Sequence, residues 1–193
     1  MRLIVIRHGQ TEGNAMGVLQ GKRIDQPLNA AGIREARLAL AKVAETGIAA
    51  LYSSPLRRAR ETAHPIASAL DLTPALRDEL AERDFGDLSG LTWEEAAAKA
   101  NDPALKEKDK NRMFDYRGFG GESAKEVRLR IRRFLEDSLR AHPRDAIACI
   151  THSGIIRLLY DELGVPQPAH VSNASLHTFK LAVIRKLTKK ARI

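Results

Sequence analysis

Two histidines stand where short apolar runs end. Leu3-Ile4-Val5-Ile6 leads into Arg7-His8-Gly9-Gln10-Thr11-Glu12-Gly13-Asn14, and Ala146-Ile147-Ala148-Cys149-Ile150 leads into Thr151-His152-Ser153-Gly154. A neutral imidazole nitrogen attacks phosphorus well when its other nitrogen is protonated and held. The guanidinium of Arg7 disfavours imidazolium, which keeps the nearby His8 ring unprotonated at neutral pH. Ser53-Ser54-Pro55-Leu56-Arg57-Arg58-Ala59 follows a third apolar run and brings arginine, whose planar fork suits phosphate oxygens. If Ser153 opens a helix, that helix's free N–H groups add a further anion site. These groups describe a site for a dianion and a phosphoryl transfer through His8. A departing alkoxide then needs a proton donor. Glu82, in Leu80-Ala81-Glu82-Arg83-Asp84-Phe85-Gly86, is the best-placed carboxyl, although spacing alone does not choose it over Asp78, Glu79 or Asp84.

Other phosphate and nucleotide motifs fail on spacing. Gly17-Val18-Leu19-Gln20-Gly21-Lys22 has three residues between its glycines and Arg23 after the lysine. A nucleotide phosphate loop needs four, then Ser or Thr. Gly118-Phe119-Gly120-Gly121 has no strand before it and Ser at position 123, so it is no dinucleotide fingerprint.

The elements that would carry these residues alternate. Residues 2–7 and 146–151 read as buried strands, short and apolar without a polar alternation, and 48–53 is a weaker strand. Asn29 can cap a helix with Ile33, Ala36, Leu40 and Val43 on one face. A second helix is expected from Pro55, kinked at Pro65. Residues 122–141 carry the clearest helical stripe, Val127, Ile131, Phe134, Leu135 and Leu139. Ser153 can cap a helix through Leu163 that Gly164 and Pro166 stop. A last strand is expected over 174–183, and the irregular 101–121 could be a loop or lid. The alternation predicts one α/β domain over 1–193 with a largely parallel sheet. Ligands bind beyond the carboxyl ends of such strands, the edge where His8, His152 and the Arg57-Arg58 pair would meet.

Composition sets the frame. At 193 residues the chain can bury a proper core, and its one cysteine excludes a disulfide framework or a multi-cysteine zinc site. Cys149 itself, inside a buried-strand pattern, is expected to be an inert small hydrophobe. Apolar runs are too short for a membrane span, and the N-terminus does not read as a signal peptide, which points to a soluble cytoplasmic protein. The net charge of +8 is uneven. Six cations and no acids fall in 180–193, leaving +2 for the rest. The basic tail is read as a solvated end, and nucleic acid is not favoured as a partner. Oligomeric state cannot be read here.

The motifs together resemble the histidine phosphatase superfamily, in its phosphoglycerate-mutase-like branch. RHGQTEGN at 7–14, SSPLRRARETA at 53–63, LAERDFGDLSG at 80–90, GGES at 120–123 and THSGIIR at 151–157 occur in family order across nearly the whole chain. The resemblance implies a phosphorylated nucleophile at His8, with Arg7, Arg58 and His152 on the phosphoryl group and Glu82 as proton donor. Arg58, directly before Ala59, matches the family arginine and Arg57 does not. Asn14 would contact phosphate, Gln20 and Gly21 would lie near the substrate, and the Ser153 N–H would add a donor. The resemblance also implies a three-layer α/β/α sandwich with a mostly parallel central sheet, and no metal or other cofactor.

Within the family, mutases resemble one another in a Tyr where this chain has Phe85 and a Lys where it has Trp93. They also carry a longer insertion than 101–121. A phosphomonoesterase acting on a small phosphorylated metabolite is therefore expected, with a cofactor-dependent phosphoglycerate mutase as the alternative and a non-catalytic phosphate binder as the rival class. The chain also resembles α-ribazole and sugar-phosphate phosphatases. Leu88-Ser89 before Gly90 departs from the Trp-Glu that many of those carry.

Overall fold

A computed structural model describes residues 2–180 of the chain. The basic tail is outside the described residues apart from Lys180. The elements run β1 (Arg2–Arg7), α1 (Glu12–Ala15), α2 (Ala30–Ala44), β2 (Ile48–Ser53), α3 (Arg57–Leu70), β3 (Ala75–Leu76), α4 (Trp93–Lys99), α5 (Leu105–Lys110), α6 (Ala124–Ala141), β4 (Ala146–Thr151), α7 (Ser153–Leu163) and β5 (Leu176–Lys180). Short 3-10 turns cover Asp78–Leu80, Gly86–Leu88 and Tyr116–Phe119.

The sheet has the order β3-β2-β4-β1-β5, parallel except for β5 against β1. Its central strands are apolar between their ends, over Leu3–Ile6 and Ala146–Ile150, because both faces are covered. Leu3, Val5, Ile147 and Cys149 face a core completed by Val127, Ile131 and Phe134 of α6 and Ile155 and Leu159 of α7. Ile4, Ile6, Ala148 and Ile150 face the other, with Ala39 and Val43 of α2 and Ala59, Ala63 and Ile66 of α3. One strand thus feeds two cores by the alternation of its side chains, and the result is the expected three-layer sandwich.

Several local expectations change. The second helix begins at Arg57 and continues through Pro65; Leu56 is its N-cap and Pro55 stays outside. Ser153 does not cap: His152 has the extended N-cap backbone, and Ser153 is the first helical residue. On α2 the buried stripe is Ala36, Ala39 and Val43, with Leu40 packed at its margin, whereas Ile33 is 48% exposed. The last strand begins at Leu176, two residues later than expected, and is described only as far as Lys180. The 101–121 segment is more ordered than a loop. It holds α5 and a 3-10 turn, and buries Leu105 and Tyr116 with Leu19, Phe85, Leu88 and Ala96 in a third small core. Aromatic and aliphatic side chains at those spacings gave no periodic signal because the elements are only a turn or two long.

The loop after β1 is seated by backbone contact. A Cβ on Gly32 in the first turn of α2 would lie 2.1 Å from the Gln10 carbonyl, and one on Gly9 would lie 2.5 Å from the Gly32 carbonyl. Backbone cannot yield as a flexible side chain can. We therefore expect Gly32→Ala to cost about 1–3 kcal/mol of stability by overpacking, read from chemical denaturation, and to reduce turnover by displacing the loop that carries His8.

Candidate active site

His8 follows β1 and is 3% exposed. Its Nδ1 lies 2.7 Å from the Gly9 carbonyl oxygen. A carbonyl only accepts, so Nδ1 carries the proton and the lone pair sits on Nε2, which has no partner among the described residues. Gly9 N–H donates to Thr62 Oγ1, and that hydroxyl donates to the Arg58 carbonyl, so α3 anchors the loop. The His8 pKa lies well below the ordinary histidine value, first through burial and then through the charges of Arg58 and Arg7. The ring is therefore neutral at pH 7.

His152 ends β4 with its ring centroid 5.0 Å from that of His8. Its Nε2 is 2.8 Å from Ser54 Oγ, while its buried Nδ1 has no partner among the described residues. Burial, then Arg58 and His8, hold its pKa well below the ordinary value as well. Arg58 is 1% exposed, and donates to the carbonyls of Gly21 at 2.8 Å and Ile24 at 2.9 Å. Burial pushes its pKa down to about 10, so it stays charged at neutral pH. Arg7 donates to the Val171 carbonyl at 2.7 Å. Neither guanidinium has a carboxylate partner among the described residues, and the Nε of each is buried without an acceptor. Arg57, one residue away, points outward to Glu61.

Glu82 sits between two 3-10 turns rather than directly before a helix. Its carboxylate accepts the N–H of Arg83 at 3.0 Å and that of Gly154, in the first turn of α7, at 3.2 Å. The helix N-terminus thus spends a donor on Glu82 as well as facing the pocket. A Cβ on Gly154 would lie 2.5 Å from Glu82 Oε1, which explains the glycine after Ser153. Arg130 of α6 pins this loop from behind through the carbonyls of Glu79, Ala81 and Glu82. Thr151 Oγ1 adds a bond to the Leu80 carbonyl. Of the neighbouring acids, Glu79 pairs with Arg77 and Asp84 with Arg23, away from the pocket.

One cavity of about 220 Å³ brings together Arg7, His8, Asn14, Gln20, Gly21, Arg58, Glu82 and Ser153. His152 is fully buried beneath it against His8. Asn14 is held through Oδ1 by the Thr11 N–H and Asn173, leaving its Nδ2 free. Gln20 donates to Thr11 Oγ1 and leaves Oε1 unpartnered; Gly21 takes part through its carbonyl, at φ +55°. The 17–22 segment, no nucleotide loop by spacing, walls the pocket as backbone. Phe85 and Trp93 also line it, as do Arg83, Asp109, Arg112 and Arg157. Spacing gave no signal for these last four, because the 101–121 segment reaches the site only through tertiary packing. Among the described residues no His, Cys, Asp and Glu cluster could hold a metal ion.

The family model for the histidine phosphatase superfamily (branch 1) matches residues 3–192. The chain belongs to that superfamily. It is 35% identical over 184 residues to phosphoglycerate mutase-like protein 4 of Arabidopsis thaliana, covering 93% of this chain and 79% of the relative. It is 30% identical over 160 residues to phosphoserine phosphatase 1 of Hydrogenobacter thermophilus, covering 83% and 74%. Among solved structures, a mycobacterial glucosyl-3-phosphoglycerate phosphatase in complex with VO3 superposes with TM-score 0.82 at 27% identity, over 93% of this chain and 92% of that one.

The neutral, buried imidazoles set a pH dependence. His8, His152 and, through burial, His177 have folded pKa values below the ordinary 6.5. Below pH 6.5 the unfolded chain therefore binds protons that the folded chain refuses, and stability falls as pH falls. The slope reaches about 1.4 kcal/mol per pH unit for each such histidine. We expect the urea midpoint to drop steadily from pH 7 to pH 5, and Arg58→Gln to raise the His8 pKa, read by NMR titration of the ring.

Proposed function

We propose that the chain is a phosphomonoester hydrolase that acts on a small phosphorylated metabolite through a covalent phosphohistidine on His8. The observation that carries this reading is the open Nε2 of a neutral His8 in a site where three buried donors, Arg7 Nε, Arg58 Nε and His152 Nδ1, have no acceptor among the described residues. Buried donors left unpaired cost about 1–3 kcal/mol each, a cost that a bound anion removes. With the Ser54 hydroxyl donating to His152 Nε2, His152 keeps a proton on Nδ1 to offer a phosphoryl oxygen.

The reaction balances in two steps. His8 Nε2 forms a bond to phosphorus as the bond from phosphorus to the ester oxygen breaks, and the Glu82 carboxyl gives its proton to the departing oxygen. The arginines hold charge on the equatorial oxygens. Water then attacks the phosphohistidine and gives a proton to the Glu82 carboxylate, which frees phosphate and restores neutral His8. The His8 Nδ1–H, held by the Gly9 carbonyl, steadies the ring when Nε2 carries phosphorus. Phe85 and Trp93, which line the cavity where the mutases carry Tyr and Lys, favour hydrolysis over mutase action. In a cell this chemistry needs only water and the ester.

We expect His8→Ala to lose at least about 10³-fold in kcat on p-nitrophenyl phosphate. An acid-labile, base-stable phosphoadduct should form on the wild type and be absent from the variant. Turnover equal to wild type in His8→Ala would overturn the covalent route. Glu82→Gln should lose about 10²–10⁴-fold on alkyl phosphates and far less on p-nitrophenyl phosphate, whose leaving group needs no proton. Isomerisation of 3-phosphoglycerate faster than its hydrolysis, with 2,3-bisphosphoglycerate present, would overturn the phosphatase reading.

A further inference from the structure

His177 of β5 is buried, lies outside the cavity lining and takes part in no step of the hydrolysis. Both of its ring nitrogens are nonetheless engaged. Nδ1 lies 2.9 Å from the hydroxyl of Tyr160 on α7, and Nε2 lies 2.8 Å from Ser175 Oγ. The direction of each bond follows from the one beyond it. Ser175 Oγ is 2.6 Å from the Ser172 carbonyl, which only accepts, so the serine proton goes there. Ser175 Oγ therefore accepts from His177 Nε2–H, and Nδ1 accepts from Tyr160. Burial holds the His177 pKa below the ordinary value, in keeping with a neutral ring. Donation runs one way, from Tyr160 through the ring and Ser175 to the Ser172 carbonyl. His177 thus has the opposite tautomer to His8, whose proton sits on Nδ1.

This chain of bonds ends on the turn behind the His8 loop. The Ser175 N–H also bonds to the Ser172 carbonyl, at 3.2 Å, so one oxygen closes the turn through two donors. Within it Ala174 has φ +50°, a left-handed conformation that a Cβ disfavours, so the turn needs holding. What the turn presents goes to Arg7, His8 and Asn14. Ala174 N–H and Asn173 Nδ2 each donate to the His8 carbonyl at 3.2 Å, and Asn173 Nδ2 also reaches Asn14 Oδ1 at 3.3 Å. The Ser175 carbonyl accepts the Arg7 N–H at 3.1 Å. Val171, just before the turn, supplies the one carbonyl that the Arg7 side chain bonds among the described residues, at 2.7 Å. The Val171 side chain is seated in the core, which fixes where the turn starts. The direction of its carbonyl depends on the chain that follows.

We propose that His177 is a positioning residue for phosphoryl binding: by joining Tyr160 to Ser175 it holds the Ser172–Ser175 turn and so, through the Val171 carbonyl, aims the Arg7 guanidinium at the phosphoryl group. This rests on the phosphatase reading above and adds to it a residue that never touches the substrate. The ring suits the task because it offers an acceptor and a donor at a fixed spacing. His177 pairs with Val5 across the sheet, two residues before Arg7, so the tie acts close to the group it serves. Tyr160 lies about two turns along α7 from the His152 N-cap, so the helix that carries one phosphoryl ligand also braces the other.

Orthovanadate binding and p-nitrophenyl phosphate turnover test this. We expect His177→Phe to weaken orthovanadate binding and raise KM by about tenfold, the size of one hydrogen bond to a charged group, with kcat changed by about threefold at most. Alkyl phosphates should show the same factor, unlike the loss in Glu82→Gln. A smaller folded fraction lowers kcat and leaves KM and orthovanadate affinity as they were, and that pattern overturns the proposal. His177→Gln, which keeps a donor for Ser175, should recover most of the affinity; recovery no better than in His177→Phe counts against the tie. In an Arg7→Gln background His177→Phe should change orthovanadate affinity by less than about twofold, because the group it aims is gone. A full tenfold loss there overturns the route through Arg7. Should His177→Phe not fold, Tyr160→Phe and Ser175→Ala each remove one bond, and unchanged affinity in both overturns the proposal. Phosphoadduct formation on His8 separates the two readings. Its absence from the wild type sinks the phosphatase reading and this one with it, and its presence with unmoved affinities sinks only this one.

Discussion

Two guanidiniums are buried beside two imidazoles, with no carboxylate paired to either guanidinium among the described residues, and the rest of the structure makes that arrangement bearable. An unpaired buried cation is costly, so the charge of Arg58 is spread over the carbonyls of Gly21 and Ile24 and that of Arg7 over the carbonyl of Val171. Those carbonyls come from irregular backbone, where a strand or helix does not already use them. The loops after β1 and before β5 are therefore part of the electrostatic design. The Nε of each guanidinium is buried without an acceptor among the described residues.

That same charge selects the state of His8. Burial and the two arginines push the imidazolium form out of reach at neutral pH, and the Gly9 carbonyl assigns the proton to Nδ1. One geometry thus lowers the His8 pKa and fixes its tautomer. Its cost falls on acid stability, since the folded chain declines protons that the unfolded chain takes up.

Glu82 shows a different kind of placement. Arg130 and Thr151 hold its loop by main-chain carbonyls, and Gly154 lets α7 approach its carboxylate directly. Glu82 is fixed by elements that also carry His152, so the two keep their spacing together. The cap formed by α4, α5 and the Tyr116–Phe119 turn has its own small core, separate from the two that cover the sheet.

Strand ends at His8 and His152, the arginine after β2 and the parallel sheet were legible in the amino-acid order, because buried parallel strands read as unbroken apolar runs and each ends in its functional group. Arg58 over Arg57 came from the family motif, and packing shows why: one faces the pocket and its neighbour faces Glu61. Cap positions were less legible. Ser153 has the side chain of a cap, yet β4 runs through Thr151 and hands the N-cap backbone to His152. Arg130, Thr62, Ser54 and Asp109 were invisible, since each acts on a group dozens of residues away along the chain. Local order determined which side chains arrive at the sheet edge; only the tertiary fold decided which backbone carbonyls, distant arginines and cap residues surround them, because those contacts depend on distance in space and leave no period in sequence.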